Sequence, residues 1–63
     1  MESEQQFYAR FGERLKKVRK ERGMTQAELA QKMQTSINSV RLYEAGNRSP
    51  SMATLNKMAE VLG

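Results

Sequence analysis

The 63-residue sequence contains no cysteine and no histidine. Without cysteine no disulfide can support a small core, and there is no thiolate nucleophile. Without histidine the usual general base is missing, and the commonest metal ligands go with both residue types. No metal site and no cofactor is therefore expected, nor is a small-molecule effector site evident. An enzyme would have to work with carboxylates, lysines or hydroxyls alone. Glu28, Glu44 and Glu60 form no evident carboxylate pair, and no nucleophile has a base beside it, so the chain is read as non-enzymatic. No apolar run approaches the roughly 20 residues that span a bilayer. The acidic, polar start Met1-Glu-Ser-Glu-Gln-Gln6 has neither the basic flank nor the apolar stretch of a signal peptide. A cytoplasmic location without membrane contact is the expectation, and the lack of cysteine fits a reducing interior. Strand patterns, internal repeats, low-complexity tracts and linkers are also absent. With 38% hydrophobic residues, one small core is the ceiling.

What the chain does have is charge, unevenly placed. The net charge is +4, and residues 10 to 22 carry seven basic side chains (Arg10, Arg14, Lys16, Lys17, Arg19, Lys20, Arg22) against Glu13 and Glu21. This segment is +5 and the remainder is −1. A basic balance favours a polyanionic partner, although a solvated helix face explains many of these lysines equally well.

Periodicity supplies an all-α architecture. Phe7, Phe11, Leu15 and Val18 line one face of a first helix that ends near Arg22-Gly23. Ser3-x-x-Gln6 is a candidate capping box for it, but Gly12 weakens the early turns and is an alternative starting point. Gly23 suits a left-handed C-cap, with Met24 folding back after it. Thr25-Gln-Ala-Glu28 is a full capping box and opens a second helix, about Gln26 to Met33, with Leu29, Ala30 and Met33 inward. Ser36 is the next N-cap candidate, before a helix from Ile37 to Ala45. Gly46-Asn-Arg-Ser-Pro50 is the clearest loop. After Ser51, the spacing of Met52, Leu55, Met58, Ala59 and Leu62 defines a last amphipathic helix. Within the third helix Val40 and Tyr43 face inward, which leaves Ile37, Asn38, Ser39, Arg41 and Leu42 nearer the outside. A small residue where two helices cross, here Ala30, with a mixed polar outer face on the following helix, suits a helix placed in a DNA major groove.

The residues Gly12-x-x-Leu15, Arg19, Gly23-Met-Thr-Gln26, Ala27-Glu-Leu-Ala30, Ser36, Val40, Tyr43-Glu44-x-Gly46, Pro50-Ser51 and Leu55-x-x-x-Ala59-x-x-Leu62 together resemble the Cro/C1-type helix-turn-helix domains of lambdoid phage repressors and the wider XRE family of bacterial regulators. The resemblance covers residues 10 to 63, and the ordered combination is far more specific than any single element. It implies a lambda repressor-like DNA-binding domain, a bundle of four to five helices over residues 10 to 63. Residues 1 to 9 are then an N-terminal extension or the start of helix one.

The resemblance also implies roles. Gln26 would offer its amide and backbone N–H to a phosphate. Ser36, Asn38 and Ser39 lie at or near the start of the recognition helix, and asparagine can pair bidentately with adenine. Arg41 would reach guanine or a phosphate. Asn47 and Arg48 would contact the DNA backbone and fix register. Arg19 and Glu44 match a pair that forms a salt bridge between the first and third helices, so they join Ala30, Val40 and Tyr43 as structural residues.

Three features depart from the family pattern. Gln34 occupies the turn position usually filled by glycine, so either it adopts a left-handed conformation or the turn differs. Ile37 and Leu42 stand where polar or basic base-readers are common. Three placements are open for them: contact with thymine methyls, a protein-binding surface, or a turn into the core. The third departure is length, since the family commonly continues past a Val-Leu-Gly into a fifth helix that helps dimerise. The leading expectation is a transcriptional regulator, read as a repressor, that binds a short inverted repeat in double-stranded DNA as a homodimer. The alternative is an antitoxin-like or adaptor module that binds protein through the same fold.

Overall fold

Hydroxyl side chains decide where the helices begin. The computed structural model describes residues 3–63, within which α1 (Glu4–Glu21), α2 (Gln26–Lys32), α3 (Ile37–Glu44) and α4 (Met52–Leu62) follow one another. Ser3, Thr25, Ser36 and Ser51 precede them in extended conformation, and each side-chain oxygen accepts the backbone N–H three residues on. An otherwise orphaned helical donor is thereby satisfied at every start. Two caps are reciprocal: Gln6 Oε1 accepts the Ser3 N–H at 2.9 Å and Glu28 Oε1 accepts the Thr25 N–H at 3.0 Å. The bond from the Thr25 backbone, followed by that with its side chain, holds the Glu28 carboxyl below its ordinary pKa.

Helix one thus starts at Glu4 and not at Gly12, and residues 4–9 are its first turns. Gly12 has a different use. A Cβ at this position would lie 2.6 Å from the Glu44 carbonyl oxygen and 2.9 Å from its carbonyl carbon. Bare backbone at Gly12 therefore lets α1 press directly on the last turn of α3.

The first three helices end in one way. Beyond α1, the Gly23 N–H donates to the Lys20 carbonyl at 2.9 Å and the Met24 N–H to that of Arg19 at 3.1 Å. Beyond α2, Gln34 donates to Gln31 at 3.1 Å and Thr35 to Ala30 at 2.9 Å; beyond α3, Gly46 donates to Tyr43 at 3.1 Å and Asn47 to Leu42 at 2.9 Å. This paired pattern, the Schellman motif, needs one left-handed residue after the C-cap. Gly23 and Gly46 supply it with φ of 69° and 76°, and Gln34 supplies it with φ of 57°. The departure at Gln34 leaves the turn unchanged and is met by a strained non-glycine residue.

The core consists of Leu15, Leu29, Ala30, Met33, Val40, Tyr43 and Met58, with Leu29 and Val40 wholly buried. Packing contacts concentrate between α1 and α3 and between α2 and α3, so α3 is the central helix. Three residues of the expected apolar faces are exposed, Ala59 on α4 and two large side chains. Phe7 is 54% exposed and Met52 is 71% exposed. Periodicity identifies an apolar face, but only the partner helices determine how far along that face burial extends, and both residues lie at helix beginnings that overhang the core.

Gly12→Ala is expected to lower the unfolding free energy by about 1–3 kcal/mol, because α1 and α3 must part to admit a methyl group. Urea denaturation measures this, and unchanged stability would show that the two helices do not need their close approach.

Candidate nucleic-acid interface

The two sides of α3 differ sharply. Val40, Tyr43 and Glu44 are buried, whereas Asn38 and Arg41 are exposed and Ile37 is 37% exposed. Positions 37, 38 and 41 fall on one helical face, so these three side chains form a single exposed surface. Leu42 is half-buried, between the outer face and the core. Ser39 differs from the expectation of an outward position: it is only 8% exposed. Its Oγ accepts from Ser36 Oγ at 3.0 Å and from Arg48 Nη1 at 2.9 Å. Ser39 stands four residues before the buried Tyr43 and so shares its inward face, which a reading of polar side chains as outward ones misses.

Behind this face lies a buried ion pair. Arg19 Nε donates to Glu44 Oε2 at 2.6 Å and Nη2 donates to Oε1 at 3.1 Å, a two-point fork between α1 and α3. Arg19 Nη1 donates to the Met24 carbonyl at 2.7 Å, which ties in the turn between α1 and α2. Gln26, expected to aim its amide at a phosphate, instead donates through Nε2 to Glu44 Oε1 at 3.1 Å. Its carbonyl oxygen and second amide hydrogen remain available from a half-buried position. The start of α2 and the end of α3 are thereby held by one carboxylate.

The loop after α3 is tied at two points. Arg48 folds back over the Tyr43 ring, its guanidinium carbon 5.5 Å from the ring centre, and Asn47 is exposed while its backbone N–H closes the α3 cap. Ser49 Oγ donates to the Tyr8 hydroxyl at 3.0 Å, linking the loop to the first turns of α1. Neither Tyr8 nor the ring of Tyr43 stood out in the sequence as part of this surface. An aromatic residue five positions before Arg48, across a tight cap, was the only available signal for the latter.

Among the described residues no buried side-chain polar atom lacks a hydrogen bond, and no three acidic, histidine or cysteine side chains converge as metal ligands. Among them, too, no helix is long and apolar enough to cross a membrane.

Removing one member of the ion pair strands the other charge. Arg19→Met is expected to cost about 3–5 kcal/mol, much of the stability of so small a domain, whereas Arg19→Met with Glu44→Met recovers most of the loss. Denaturant titration of the single and double variants tests this; equal instability of both would show that packing, not charge pairing, dominates.

A helix-turn-helix family model matches residues 15–63. Over 55 residues the chain is 42% identical to a candidate multi-protein-binding factor 1 of Yarrowia lipolytica (strain CLIB 122 / E 150), covering 87% of this chain and 36% of that protein. It is 38% identical over 53 residues to an uncharacterized HTH-type transcriptional regulator derived from the SPbeta prophage of Bacillus subtilis (strain 168), with 84% of this chain and 49% of the relative covered. It is 40% identical over 52 residues to the immunity repressor protein of Bacillus phage phi105, covering 82% of this chain and 36% of that protein. The chain spans at most about half the length of these relatives. Capped helices, a tight turn before α3 and a matching family model lead to one conclusion: the chain belongs to the Cro/C1-type, or XRE, family of helix-turn-helix domains.

Proposed function

We propose that this domain is the DNA-reading part of a transcriptional regulator, a repressor that binds a short inverted repeat in double-stranded DNA as a homodimer. The observation that carries the reading is the two-sided α3, anchored by a buried ion pair on one side and exposing Ile37, Asn38 and Arg41 on the other. Asn38 pairs with the N6/N7 edge of adenine, Arg41 reaches guanine or a phosphate, and Ile37 with Leu42 contacts thymine methyls. Gln26, Asn47 and Arg48 contact phosphates and fix register, and Ser36 caps the recognition helix beside them. The names of two relatives, a transcriptional regulator and an immunity repressor, support the same reading.

Homodimerisation enters because one helix reads only a few base pairs, and two helices about 34 Å apart read a palindrome. The function is one of binding rather than catalysis: Glu28 is occupied by its cap and Glu44 by its clamp.

A second reading, an antitoxin-like or adaptor module, is favoured by one observation. A groove of about 450 Å³ runs between α1 and α4, lined by Phe11, Leu15, Val18, Leu55, Met58 and Leu62 among others. The name of the Yarrowia relative, a multi-protein-binding factor, points the same way.

Selection from a random duplex pool separates the two. Enrichment of a palindrome, with affinity falling on a log–log salt plot by about 0.9 per phosphate neutralised, is expected of the regulator. Asn38→Ala should then cost about 1–3 kcal/mol at one symmetric pair of positions while leaving the fold intact. No enrichment over random sequence would favour the adaptor.

A further inference from the structure

Arg48 lies in the loop beyond α3 yet is held against that helix. Nη1 donates to Ser39 Oγ at 2.9 Å, and the guanidinium carbon sits 5.5 Å from the centre of the Tyr43 ring. Both supports are buried, Ser39 at 8% and Tyr43 at 6% exposure, while Arg48 itself is exposed. The Ser39 oxygen is in turn oriented by Ser36 Oγ at 3.0 Å, which also accepts the Ser39 backbone N–H at 3.1 Å. A free arginine samples many rotamers; this one has a hydrogen bond at one edge and an aromatic face beneath it.

We infer that Ser39 is a positioning residue: its hydroxyl, with the Tyr43 ring, holds the Arg48 guanidinium in a fixed orientation to receive a DNA phosphate, and Ser39 itself does not touch a base. This rests on the DNA-binding reading above. One of five guanidinium N–H groups is used by Ser39, and the others have no partner among the described residues. They suffice for two-point recognition of a phosphodiester. Ordering such a side chain only on binding would weaken affinity by about twofold to tenfold, and the latch removes that loss in advance.

The assignment separates two roles that both come from polar residues of one short helix. Asn38, exposed, discriminates among bases; Ser39, its buried neighbour, affects every duplex alike. A phosphate contact carries no sequence information, so disturbing its support must leave base preference untouched.

The test is binding of the intact chain to a selected duplex and to an unrelated one, measured by fluorescence anisotropy across a salt series. Ser39→Ala is expected to weaken both by about fivefold with no change in base preference, and Ser39→Thr to restore binding. Arg48→Met should weaken both further and reduce the salt slope by about one phosphate. In the Arg48→Met background, Ser39→Ala should then have no added effect, because the residue it supports is gone. Additive losses in the double variant, a shifted base preference in Ser39→Ala, or unchanged affinity would each overturn the inference. Should Ser39→Ala fail to fold, Arg48→Lys decides: it keeps the charge and loses the fork, and wild-type affinity would overturn the assignment. If the unaltered chain binds neither duplex, the proposed function fails and this inference with it; if it binds and the losses are additive, only this inference fails.

Discussion

The Arg19–Glu44 pair is the constraint on which the arrangement of the other elements depends. A carboxylate and a guanidinium taken out of water lose several kcal/mol of hydration each, and only good geometry with further hydrogen bonds offsets that loss. Here Glu44 accepts two bonds from Arg19 and one from Gln26, and Arg19 gives its remaining Nη to the Met24 carbonyl. Four segments meet at these groups: the end of α1, the turn after it, the start of α2 and the end of α3. Gly12 stands seven residues before Arg19, two helical turns along the same face of α1. Its missing side chain sets the distance between α1 and α3, and the ion pair sets their register.

A helix so fixed can leave its other side unpartnered without losing its orientation. In a domain of this size the core is small, and a short helix of eight residues has little stability of its own. The serine cap and the Schellman turn define where it begins and ends, while its orientation comes from the packing of Val40 and Tyr43 in the core and from the clamp at Glu44. Exposed Ile37, Asn38 and Arg41 inherit that orientation, and Arg48 is drawn onto the same helix.

Local chemistry made much of the fold legible in the sequence. Capping boxes at Ser3 and Thr25, serine caps at Ser36 and Ser51, and the glycines after α1 and α3 are decided by residues within one turn of one another, and they lie where the pattern places them. What was not legible depends on distant partners. Gly12 looks like a helix breaker until α3 is packed against it, and Phe7 and Met52 look like core until their helix ends are seen to overhang. In the candidate site, the exposure of Asn38 and Arg41 agreed with the helical period. The engagement of Ser39 by Arg48 and of Gln26 by Glu44 depends on side chains nine and eighteen residues away, which no local pattern encodes.

The central claim, that the clamped α3 presents its exposed face to DNA, is tested most directly by intermolecular NMR contacts between the chain and a duplex selected for binding. Contacts from Ile37, Asn38 and Arg41 to base protons, with those of Gln26 and Arg48 confined to the sugar–phosphate backbone, are the expected result. Contacts that fall instead on the groove between α1 and α4, around Phe11 and Leu62, with α3 unperturbed, would contradict it.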